Sequence, residues 1–195
     1  MVLKVLKKSS DNVQTTVEWS SAFYNYLKEV LRNLEALQAD PQSRSAKQYY
    51  KNASQNFRQV RRSERRINRY YGRVKTELEE LGKILPEALK KEMAGLQAKL
   101  RPFEAAIINE ASFYRGEMND GFEEIGVGIA LLNKKDNSKS VNYQSLFASK
   151  MSKFVNEVKN LLGEKATGSA LGIVPFIAAL RELQAFLKKL EKMSS

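Results

Sequence analysis

The sequence contains no cysteine and no histidine. A disulfide framework, a thiol nucleophile and an ordinary zinc site are therefore excluded, and so is the side chain that most often acts as general base near neutral pH. The missing cysteine leaves the redox compartment open. Proline is scarce, so the chain has few obligatory breaks. Long apolar runs are missing too. The longest uncharged stretch, TGSALGIVPFIAAL (167–180), is well short of the roughly 20 residues a spanning helix requires, and Pro175 interrupts it. The opening MVLKVLKK is basic, but its apolar run is too short for a secretory signal. The expectation is a protein without a transmembrane helix or signal peptide. Alternating strand-like runs and internal repeats are also absent.

Two enzyme-like features do not survive a closer reading. GFEEIGVG (121–128) has the spacing of a phosphate-binding loop, but Val127 and Gly128 stand where Lys and Ser/Thr are needed. Glu104, Glu110 and Glu117 resemble a carboxylate set, yet a bundle di-iron site also needs histidine. We expect surface glutamates, no catalytic or metal site, no cofactor, and no enzyme.

What is present is helical periodicity. Val13, Val17, Phe23, Leu27, Val30, Leu31, Leu34 and Leu37 recur at three- and four-residue spacing and mark one helix face, with Asp11 and Gln14 as a capping pair at its start. Asp40-Pro41 has the chemistry of a helix start, with Asp as cap and Pro at the first position. A second long helix is expected from Pro41 to Glu80 or Leu81, stopped by Gly82, so that the two form an αα-hairpin. Pro86 can open a third helix that Pro102 ends or kinks. Denser apolar segments follow: FEAAII (103–108), IGVGIALL (125–132), LFASKMSKFV (146–155) and GIVPFIAALRELQAFL (172–187). KKDNSKSVN (134–142) and GEKATGS (163–169) have loop compositions. The fold class is therefore all-α: a basic tail over 1–10, a long antiparallel hairpin arm over 11–82, and a compact helical bundle over 86–193. Small residues in the apolar segments permit close helix packing or, where exposed, homo- or hetero-oligomer contacts.

The charge is distributed unevenly. The net charge is +11, and Pro41 to Lys75 holds eleven Lys and Arg against one acid, Glu64, while the other 160 residues hold 22 basic and 21 acidic groups. Placed on a helix, Arg44, Lys47, Lys51, Arg58, Arg61, Arg62, Arg65, Arg66, Arg69 and Arg73 fall within roughly 140° of arc. Tyr49, Ala53, Val60, Ile67, Tyr71, Val74 and Leu78 occupy the opposite side. The result is a cationic ridge about 44 Å long at 1.5 Å per residue. An ordinary solvated face mixes signs, with Glu placed four residues before Lys. Here like charges meet at three- and four-residue spacing, a self-repulsion of roughly 2–5 kcal/mol that a bound polyanion would relieve. Lys outnumbers Arg in the chain, yet every basic group from 58 to 73 is Arg, whose planar fork suits phosphate.

The acidic run GEMNDGFEE (116–124) has four carboxylates and can neutralise only part of the ridge. A ridge of this length spans about thirteen base pairs of duplex, and it carries few groups suited to reading bases. Binding by backbone and shape is expected, with nucleic acid as partner and duplex DNA favoured. Tyr50 and Tyr70 at its edges suit packing on a neighbouring helix better than base stacking. An anionic membrane surface is the alternative partner, with MVLKVLKK as a small amphipathic anchor, and a non-assembling DNA- or RNA-binding module is a further alternative. The ridge, however, is Arg-rich and has no bulky apolar residue at its centre.

The arrangement of a hairpin before Gly82, a basic face from Arg44 to Arg73, and a more apolar bundle after Pro86 resembles the major coat proteins of filamentous archaeal viruses. The resemblance spans the whole chain and is architectural. It implies repeated subunits enclosing duplex DNA, basic groups on phosphates without sequence reading, C-terminal apolar segments between subunits, and a location in a virion or the cytoplasm.

Overall fold

The computed structural model describes residues 2–104, 117–132, 140–163 and 172–194. Among these residues every regular element is an α-helix: α1 Val2–Ala39, α2 Ala46–Ile84, α3 Glu87–Phe103, α4 Glu117–Leu132, α5 Ser140–Leu162 and α6 Ile173–Met193. The all-α class and the hairpin of two long helices are as the periodicity predicts. α1 and α2 pack along their lengths, and α1 also packs on α6 and α5; α3 lies on α6, and α4 on α5 and α2. α1 therefore lies at the centre. Its stripe Val13, Val17, Phe23, Leu27, Val30, Leu34 and Leu37 is buried, and so are residues from all the other helices, in one continuous core.

The helix boundaries differ from expectation at both ends of the hairpin. Asp11 does not cap α1. Residues 2–10, read as a basic tail, are its first turns, because Leu6 continues the apolar stripe into the core and the helix follows it. α2 begins at Ala46, not Pro41. Residues 40–45 form the turn, which lets the chain reverse before Ala46 is seated fully buried. α2 also runs past Gly82 to Ile84 and stops at Leu85, whose extended backbone is what a following proline imposes. Pro86 caps α3, and Pro102 lies one residue from its end, as expected. Residues 140–142 of the expected loop belong to α5; residues 134–139, FEAAII beyond Glu104, Glu110, and 164–169 lie outside the described residues.

The hairpin seam is more polar than its apolar stripe implies. Ser9, Ser10, Asn12, Thr16 and Ser20 of α1 and Ser63, Glu64 and Glu77 of α2 are all buried, and Asn12 and Glu77 meet across the seam. Two of the hydroxyls bond their own helix, Ser9 to the Val5 carbonyl (2.9 Å) and Thr16 to the Asn12 carbonyl (2.7 Å). Asn12 donates across the seam to Glu77 at 2.8 Å, and Lys8 approaches the same carboxylate at 3.3 Å. A buried carboxylate with fixed partners penalises sliding of one helix past the other, so this contact sets the register of the hairpin.

Candidate nucleic-acid interface

The face of α2 turned to α1 and α4 buries Ala46, Ala53, Phe57, Val60, Ser63, Glu64, Ile67, Tyr71, Val74, Glu77, Leu78 and Leu81. That burial fixes the rotation of the helix, and the rotation turns the basic groups outward. Arg44 lies in the turn before α2 and is exposed, as are Lys47, Lys51, Arg58, Arg62, Arg65, Arg69 and Arg73; Arg61 and Arg66 are half-buried at the edges. Glu64, the one acid of the segment, is 3% exposed and lies among the buried residues of α2.

Among the described residues none of the ten basic groups is ion-paired to a carboxylate. Ion pairs elsewhere take their cations from Lys8, Arg32, Lys75, Lys90, Lys99, Lys150, Lys159 and Lys189. The three ridge arginines with side-chain contacts use neutral partners. Arg61 donates to the Asn119 side-chain oxygen on α4 at 3.1 Å. Arg66 lies over the Trp19 ring of α1 at 5.6 Å, and Arg73 over the Tyr70 ring at 5.2 Å. These contacts orient guanidinium groups and leave their charge in place. The acidic run does approach the ridge, but it touches it through Asn119, while its Glu124 pairs with Lys150 at 2.7 Å.

The aromatic residues at the ridge edges have different surroundings. Tyr50 stacks on Phe122 (centroids 5.1 Å apart) and donates to the Phe122 carbonyl at 3.3 Å, and a side chain at Gly126 would collide with its ring. It serves as the α2–α4 joint; burial, with Glu123 nearby, pushes its hydroxyl pKa up. Tyr70 is half-buried beneath Arg73. Trp19 and Asn119 are the contributors that sequence reading misses. Both lie far from the ridge in the chain, and no local spacing signals them.

The remaining candidates take structural roles. GFEEIGVG lies wholly within α4, without the strand–loop–helix context a phosphate loop needs. Glu104, expected at the surface, is largely covered: it pairs with Lys75 and accepts from the Tyr71 hydroxyl at 3.3 Å. Burial, reinforced by that carboxylate, pushes the Tyr71 hydroxyl well above the ordinary phenol range. Glu110 lies outside the described residues, and Glu117 is described only as the first residue of α4. Among the described residues no group of carboxylates is placed to hold a metal ion, and no helix is long and apolar enough to cross a membrane. No protein family, curated protein or solved structure matches the chain.

Proposed function

We propose that this chain is a structural nucleic-acid-binding protein that packages duplex DNA without reading its sequence, as a coat subunit of a virion or nucleocapsid. The observation that carries this reading is the ridge: ten basic groups on one face, eight of them exposed, without a carboxylate partner among the described residues. A phosphate backbone supplies the missing counter-charge at a regular spacing, and arginine forks meet phosphate oxygens in pairs. Only Gln48 and Gln55 stand exposed as amides on the same face, against eight exposed cations, a ratio that favours backbone contacts over base reading. A membrane surface fits less well, because Leu6 of the supposed anchor is buried in the core and the crest presents no bulky apolar side chain for insertion.

The test is binding of a labelled duplex, followed by anisotropy over a range of salt concentrations. The logarithm of affinity should fall linearly with the logarithm of salt, with a slope near −0.9 for each phosphate neutralised. Substituting Arg58, Arg62, Arg65 and Arg69 together by Gln should make that slope shallower by about 3.6. Trp19 beneath Arg66 gives a second readout, since its emission should change as Arg66 engages a phosphate. Absence of duplex binding at low salt refutes the reading and directs the search to RNA and anionic vesicles.

A further inference from the structure

Packing accounts for the glycines of α4. Gly121, Gly126 and Gly128 make room for the rings of Phe154, Tyr50 and Phe147, which an added Cβ would crowd. Gly72 of α2 has no such reason. It is exposed, and an added Cβ there would meet nothing within 4 Å. Glycine is among the poorest helix formers, so at an open position it brings the free helix no stability. Its place is on the ridge: at 100° per residue Gly72 falls about 20° from Arg65, two turns before it, and about 60° from Arg69.

Neighbouring contacts keep the spot above Gly72 bare. Side chains of a helix lean back over the preceding turn, so the residues placed to cover Gly72 are Lys75 and Thr76. Lys75 is drawn aside to Glu104, whose charge it answers. Thr76 is short, and its hydroxyl donates back to the Gly72 carbonyl at 3.3 Å. That bond engages an oxygen that would otherwise oppose an incoming anion. Arg73, the next residue, holds its guanidinium over the Tyr70 ring. The crest therefore has a gap floored by backbone, with Arg65 and Arg69 on its N-terminal side and Arg73 beside it. The exposed Glu79 and Glu80 come about two turns later and end the cationic surface.

We infer that Gly72 is the seat of one phosphate group, the point where α2 and its polyanion come closest. A residue without a side chain lets the anion approach the helix backbone more nearly than any other residue does. There the forks of Arg69 and Arg73 close on it from the flank, and Arg65 reaches it from the N-terminal end. A phosphate set between side chains, and not on top of them, fixes the height and register of the strand along the ridge. The seat rests on the reading of the ridge as a phosphate-binding surface and adds to it the one position where that contact is tightest.

Gly95 of α3 provides the control, since it is also exposed, also meets nothing within 4 Å, and lies outside the ridge. Alanine or leucine at either position should raise the thermal midpoint of the free protein, which also checks that each variant folds. On a labelled duplex in about 0.1 M salt, Gly72→Leu should weaken binding by roughly five- to tenfold and make the salt slope shallower by about 0.9, the share of one phosphate. Gly72→Ala should act in the same direction and less. Gly95→Ala and Gly95→Leu should change neither quantity. Higher stability joined to lower affinity, at Gly72 alone, is the result expected of a seat. Inorganic polyphosphate, which has no bases and no grooves, is the second probe and should rank the variants in the same order. Equal affinities of the Gly72 and Gly95 variants for a duplex that the unaltered chain binds overturn the seat and leave the ridge standing. A loss on duplex that polyphosphate does not share also overturns it, because the contact then depends on groove shape. If the unaltered chain binds polyphosphate but no duplex, the packaging reading fails and the polyphosphate ranking decides the seat; a chain that binds neither overturns both.

Discussion

Lysines and arginines of this molecule lead different lives. Along the helix–helix boundaries, lysines reach carboxylates of a neighbouring element: Lys99 to Glu182 at 2.5 Å, Lys150 to Glu124 at 2.7 Å, Lys159 to Glu35 at 2.8 Å and Lys189 to Glu92 at 3.5 Å. On α2, successive arginines from 58 to 73 meet no carboxylate, and the acid nearest in sequence is turned inward. The fold is thus able to place opposite charges together wherever helices meet. Along the 39-residue α2, by contrast, no arginine from 58 to 73 meets a carboxylate among the described residues, which is the observation behind the proposed external counter-charge.

The sharpest way to break this comparison is to remove four charges from each side of it. Replacing Lys99, Lys150, Lys159 and Lys189 by Gln should leave the salt slope of duplex binding nearly unchanged, in contrast to the arginine set. Equal slopes for the two variants would mean that total charge matters and the ridge does not. Without nucleic acid the order reverses. Chemical denaturation should show the arginine variant more stable than the unaltered protein by about 1–2 kcal/mol, since several like-charge pairs are relieved. The lysine variant should be unchanged or less stable by about 1 kcal/mol, the range for exposed pairs.

A buried pairing should cost more than any of these exposed ones. Glu77→Ala removes the acceptor of the Asn12 amide inside the seam and should lower stability by about 2 kcal/mol, measured by urea denaturation. A loss as small as that of an exposed pair would deny Glu77 its part in fixing the hairpin register. The smallest effect is expected at Gly72, exposed between Arg69 and Arg73, where an added Cβ would meet nothing within 4 Å. Gly72→Ala should raise the thermal midpoint, with a gain of roughly 0.5–1 kcal/mol from the restricted unfolded chain and the better helix former. No gain would indicate that α2 is frayed at this point and that the ridge is shorter than its sequence.

How far the sequence discloses all this depends on whether the determining partner is near or far along the chain. The buried stripe of α1 and the outward ridge of α2 are legible because both follow from a 3.6-residue period within one helix. The ends of those helices are not. Asp11 and Asp40-Pro41 carry the local chemistry of helix starts, but burial of Leu6 extends one helix and the reversal of the chain delays the other. The polar seam is hidden for a similar reason. Ser9 and Thr16 look like surface residues until their hydroxyls are seen bonded to their own helix, which lets them be buried at little cost. Within the interface, the edge contacts of Arg61 and Arg66 depend on Asn119 and Trp19, which only the tertiary fold brings near.

The length of the ridge carries a consequence for stoichiometry. On the proposed reading, the helical part of the ridge from Lys47 to Arg73 covers about 39 Å of duplex, which holds roughly 23 phosphates at one charge per 1.7 Å of axis. Ten cations answer fewer than half of them, and the net charge of the whole chain, +11, does little better. A single row of chains would leave its cargo strongly anionic. Electroneutral packing calls for two or three chains abreast around the same stretch, or for small cations such as polyamines trapped beside a single row, and the mass ratio of protein to DNA in a purified complex distinguishes the two.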